Sequence, residues 1–130
     1  MTEITSLQVR LEINGGWNGD LYVHLVHDSG FAVPLNRAGR DAGNPDGSGA
    51  MGMDVVLGDA AAADIHPAMP GSGFVTGLHQ PDGRTADPAN VLDSSPRSAF
   101  LNSFAGQNPN GSWTLYLADV SAGGTSTLAS

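Results

Sequence analysis

The stretch Gly111-Ser112-Trp113-Thr114-Leu115-Tyr116-Leu117-Ala118-Asp119 restricts the fold more than any other part of the chain. Trp113, Leu115 and Leu117 fall on one side of an extended backbone; Ser112, Thr114, Tyr116 and Ala118 fall on the other. That period of two belongs to a half-buried β-strand. Asn108-Pro109-Asn110-Gly111 leads into it and Ser121-Ala122-Gly123-Gly124 leads out, both built from residues that reverse a chain. Trp113 is the largest apolar group of the strand, and the core is expected to form against it.

The same alternation recurs upstream. Leu7, Val9, Leu11 and Ile13 alternate with Gln8, Arg10 and Glu12, giving a first strand over 4–13. Leu21, Val23 and Leu25 oppose Tyr22, His24 and Val26, giving a second over 20–27. The Gly-rich turn 14–19 between them predicts a hairpin. Further short strands are expected at 31–35, where Pro34 suggests an edge or an end, at 51–57 and at 73–78. Residues 125–130 read as the start of one more. The segments 36–50 and 80–98 are loops, Ala60 to Ala63 offers at most one helical turn, and 99–104 a single turn. With 18 Gly and 8 Pro in 130 residues, this is one domain. The fold class expected is all-β, an antiparallel jelly-roll β-sandwich.

Charge narrows the partners. The net charge is −8, carried against five arginines and no lysine. Such a surface repels phosphate backbones and anionic lipid, which argues against nucleic acid and against membrane docking. No run approaches the roughly 20 apolar residues of a membrane span, so no membrane insertion is expected. Cysteine is absent, which removes disulfides, thiolate metal sites and a cysteine nucleophile. Met1-Thr2-Glu3-Ile4 has neither a basic nor an apolar leader region. The expectation is a cytosolic chain or the mature piece of an exported protein.

The acidic residues are mostly Asp, which serves turns and caps and also ligates calcium. Asp41, Asn44 and Asp46, on a tight Gly-bearing loop, are the first calcium candidates, although residue 52, where an EF-hand would place its last ligand, is Gly. Plain turns are the alternative there. Asp20 and Asp119, with Asp54 and Asp59, lie near strand ends, where they bond loop amides or share a cation. His24 and His27 fall on opposite faces of one strand and read as surface or loop-end residues. His66 and His79 lie in loops without ligand spacing. Ser72 lacks a nucleophile-elbow context, and no loop has phosphate-binding spacing. Trp17, at the expected hairpin tip, and Tyr22, opposite the core face, are candidates to stack on sugar rings; Trp17 folded back as a cap is the alternative.

Three segments in order resemble the P domain (P/Homo B) that follows the catalytic domain of subtilisin-like proprotein convertases. They are Leu7 to Ile13 with Trp17-Asn18-Gly19-Asp20-Leu21-Tyr22-Val23-His24-Leu25; Phe100-Leu101-Asn102-Ser103-Phe104-Ala105-Gly106; and Gly111 to Asp119. The wording is most similar to P-domain-like modules of bacterial exported surface proteins. The resemblance implies a jelly roll without catalytic residues, extracellular or at the cell surface, stabilising a neighbouring domain or making surface and matrix contacts. The family continues into a Trp-containing final strand, whereas this chain stops at Ser130. That departure implies an open sheet edge which a protein partner would complete by strand addition. A calcium-assisted, glycan-binding module is the other function expected.

Overall fold

The computed structural model describes residues 3–68, 74–120 and 127–128. It is all-β, with two sheets and two short 3-10 turns at Asn18–Asp20 and Leu101–Phe104. The strands are β1 (Val9–Asn14), β2 (Leu21–His27), β3 (Gly30–Asn36), β4 (Gly52–Leu57), β5 (Val75–His79), β6 (Thr114–Asp119) and β7 (Thr127–Leu128). One sheet has the order β5-β4-β1-β7, the other β3-β2-β6.

The two sheets face each other because each strand presents one apolar stripe. Leu11 and Ile13 of β1 and Met53, Val55 and Leu57 of β4 meet Leu21 and Val23 of β2 and Leu35 of β3 in one buried cluster. A second cluster closes one end, where Ile4, Leu25, Ala32 and Leu101 surround Phe104. Phe104 is fully buried, with Trp113 tilted against it at 5.2 Å. Gly30 abuts the Phe104 ring, and a Cβ there would collide with it. The Trp113 strand is therefore a wall of the core, and Phe104 is the large ring at the centre of that end.

Three expectations about connectivity need correction. The first two strands do not form a hairpin. β1 pairs antiparallel with β4 and β7, and β2 with β3 and β6. Alternation fixes which face of a strand is buried, not which strand lies beside it. The 14–19 segment is a crossover between the sheets. Asn18, wholly buried, pins it: its amide nitrogen donates to Gly52 O at 3.0 Å, and its amide oxygen accepts from Gly52 N–H at 3.0 Å. The actual hairpin joins β2 to β3 through Asp28-Ser29, with Asp28 at φ 50, the positive φ that two-residue hairpin turns require.

The sheets are also not wholly antiparallel: β5 runs parallel to β4. The long connection 58–74 makes that crossover feasible, as a two-residue turn would not. Finally, strand character begins at Val9, not at residue 4. Ile4 is held elsewhere, its N–H donating to Gln107 O at 2.7 Å and its O accepting from Gly106 N–H at 2.8 Å. Residues 60–63 form a turn without helix. Gly73 of the fifth expected strand, and 125, 126, 129 and 130 of the last, lie outside the described residues.

Removing the Phe104 ring leaves a cavity that β2 and β6 cannot collapse into. Phe104→Ala is expected to cost about 3–5 kcal/mol, measured by equilibrium urea unfolding; a loss below about 1 kcal/mol would show that the second cluster is dispensable.

Candidate functional site

Buried polar groups are concentrated where loops meet the sheets. Asp82, fully buried, accepts from Asn36 N–H at 3.0 Å and pairs with His66 Nδ1 at 2.8 Å and Arg84 Nη1 at 3.2 Å. Arg84 continues to Asp64 at 2.7 Å and to Asp93 O at 2.9 Å. His66 Nε2 meets Arg40 O at 2.8 Å. An Asp–His pair at this distance resembles half of a proton relay. Here the outer ring nitrogen is occupied by a backbone carbonyl and the ring is sealed, so its geometry serves loop anchoring. In the sequence, His66 and Asp82 both fall in segments that read as loops. Residue spacing carried no signal: Asp64-x-His66 is a turn in which Asp64 Oδ1 accepts from His66 N–H at 2.8 Å, and Gly83, at φ 70, bends the backbone between Asp82 and Arg84.

His27 corrects a second expectation. It lies on the face opposite His24, as alternation requires, but it is buried rather than at the surface. Its ring stacks on Trp113 at 3.9 Å and 5°. Nδ1 sits 2.8 Å from Ser112 O and Nε2 2.7 Å from Asn108 O. Both nitrogens of His27, and both of His66, thus face acceptors. Only an imidazolium donates from both.

Both pKa values are accordingly raised. For His27 the Asn108 and Ser112 carbonyls raise it, burial opposes, and Asp28 adds to the rise. For His66 burial lowers it, but the bond and charge of Asp82 together with the Arg40 carbonyl outweigh that loss and the repulsion of Arg84.

The expected calcium ligands are placed as follows. Asp41 Oδ1 accepts from Gly43 N–H at 2.8 Å and Asn44 Nδ2 donates to Gly47 O at 2.9 Å, so both side chains cap their own turn. Asp46 is exposed. Asp20 is buried in the first 3-10 turn, and Asp119 ends β6 opposite Leu21. The cation that Asp20, Asp46 and Asp119 have in common is Arg37. Its Nη2 lies 3.9 Å from Asp20, and all three carboxylates act to raise its pKa against burial and Arg40, which prevail and lower it. Among the described residues, no three His, Asp or Glu side chains are grouped to hold a metal ion. Asp59 caps the second 3-10 turn, accepting from Leu101 and Asn102 N–H at 3.0 and 2.7 Å. Asp54 forms a two-bond pair with Arg10 on the sheet surface. Ser72 lies outside the described residues.

The remaining candidates lie on the outer face of β3-β2-β6. Tyr22 points there, as alternation predicts, and it does not stand alone. His24 stacks on Tyr116 at 4.9 Å and meets Phe31 at 5.4 Å and Tyr22 at 5.6 Å; Tyr22 and Tyr116 are 6.4 Å apart. Phe31 is 39% and Tyr116 50% exposed. Cross-strand register assembles the group: His24 is opposite Tyr116, and Val26 opposite Phe31. Trp17 is 44% exposed and makes no ring contact among the described residues; it neither joins this cluster nor caps a hairpin.

No family model matches the chain, and neither a curated protein nor a solved structure matches it. The P-domain resemblance therefore rests on its three segments.

Two predictions follow from the charges. The raised folded-state pKa values of His27 and His66, ordinarily 6.5, mean that their contribution to stability is complete below the unfolded value and is lost as pH rises through the folded one. The melting midpoint is expected to fall as pH rises above about 6.5; a flat profile by circular dichroism would show that folding leaves both pKa values unshifted. In calcium and in EDTA the midpoints are expected to coincide, because Asp41 and Asn44 are engaged with backbone and Arg37 serves the other carboxylates. A midpoint that climbs with calcium concentration would show that the folded chain binds the ion.

Proposed function

We propose that this chain is a non-catalytic binding module, and that it works through the outer face of β2, β3 and β6. The observation that carries the reading is the contiguous, partly exposed aromatic group Tyr22, His24, Phe31 and Tyr116. Aromatic side chains supply large contact area at little entropic cost and tend to dominate recognition surfaces. The buried titratable groups support the same reading, since His27, His66, Asp82 and Arg84 are engaged in fixing loops.

In this proposal the β-sandwich is a jelly roll of P-domain type, and the module belongs to an exported bacterial surface protein in which it sits beside other domains. The three motif segments motivate that setting. The test is an array carrying glycans and peptides, probed with the parent chain and with Tyr22→Ser/Tyr116→Ser. Both residues are on the solvent side of the sheet, so the variant is expected to keep its melting midpoint and lose the signal. A signal that persists in the variant, or hydrolysis of an arrayed compound by the parent, would overturn the reading.

A further inference from the structure

We infer that the ligand of this face is a neutral glycan, its sugar rings lying against Tyr22, His24, Phe31 and Tyr116. The inference rests on the reading of the outer face as the binding surface and names the chemistry it takes.

The first observation is charge. The outward positions of β2 and β6 are Tyr22, His24, Val26, Thr114, Tyr116 and Ala118, and Phe31 joins them from β3. None is an acid or an arginine, in a chain with thirteen acids and five arginines. A cationic ligand would find no carboxylate on this face. A sulfated or uronic one would find no guanidinium, and would approach against the net charge of −8. An uncharged ligand has no such cost.

The second observation is the mixture of ring and hydroxyl. The Tyr22 hydroxyl and His24 Nδ1 are 3.2 Å apart. The Tyr116 side chain is half exposed and Thr114 is exposed beside it. π-faces carry partial negative charge and suit the C–H face of a pyranose, while phenol, imidazole and threonine hydroxyl suit the hydroxyls around the sugar's rim. Purely apolar ligands would leave those polar groups unanswered.

The third observation is extent. A stable protein partner draws on roughly 20–30 residues a side. Here the uncharged patch is a handful of side chains, the length of a few sugar rings.

The test is an NMR titration of the isotopically labelled chain. The neutral probes are hexamers of β-1,4-glucan, chitin and mannan; the charged probes are heparin and choline. At least one neutral oligosaccharide is expected to shift amides of β2, β3 and β6, with Phe31→Ala and Tyr116→Ala each weakening binding about tenfold or more while the rest of the spectrum is unchanged. Shifts of this face by heparin or choline and by no neutral oligosaccharide would overturn the glycan and leave the binding surface standing. No shift by any probe, or neutral-glycan binding that survives both substitutions, would overturn the glycan on this face, and the second of these would remove the face itself.

Discussion

The structure depends on one carboxylate. Asp82 is wholly removed from water, and an unmatched charge there would cost several kcal/mol. It is matched by donors from three separate pieces of chain: the Asn36 amide of β3, the His66 ring from the connection after β4, and the Arg84 guanidinium of its own loop. Asn36 returns the contact through its side chain, donating to Arg84 O and Ala86 O at 3.0 Å each. Irregular segments that bury few apolar groups are thus held by polar contacts that are satisfied together. The same loop lies along β3. Gly83 N–H donates to Val33 O, Asp82 N–H to Pro34 O, and Val33 N–H to Ala99 O. An edge that would otherwise present unpaired backbone is covered.

What was legible in the sequence is what period two encodes. The Trp113 strand, the opposed faces of β2 and the outward direction of Tyr22 all follow from alternation. Partnership between strands was not legible, because Ile13 is buried equally well whether its neighbour is β2 or β4. Asn18 decided it, and an asparagine in an Asn-Gly-Asp stretch reads as a turn residue until Gly52 is known to lie opposite. The polar network was hidden for a similar reason. His66 and Asp82 are sixteen residues apart, and only the crossover into β5 brings them together. The aromatic group was half visible. Tyr22 stood out alone, whereas His24, Phe31 and Tyr116 joined it only once register set them side by side.

His27 and Trp113 show how a charge can be made part of a core. The turn at 108–112 leaves two carbonyls, of Asn108 and Ser112, aimed at the end of β2. A neutral ring would answer one of them and leave the other without its donor, which is costly in a buried site. The protonated ring answers both, and its plane lies flat on the Trp113 π-face. The turn that introduces β6 is therefore tied to β2 by a residue whose bonding depends on pH, while Trp113 Nε1 bonds Pro109 O at 3.0 Å from the other side.

β2 is the middle strand of its sheet, and its two faces have become two different surfaces. Inward, Leu21, Val23, Leu25 and His27 are sealed; outward, Tyr22, His24 and Val26 are partly open. The two histidines make the division plain. Three positions apart on one strand, one has both nitrogens committed to carbonyls and the other sits among three aromatic rings. Because successive side chains leave a strand in opposite directions, the outward set is anchored by the inward set without sharing its contacts. Tyr22 and Tyr116 stay in place because Val23 and Leu117 are packed. The aromatic group thereby gains the rigidity of the sandwich, which would lower the entropic cost of the proposed binding there, while remaining outside the network on which folding depends.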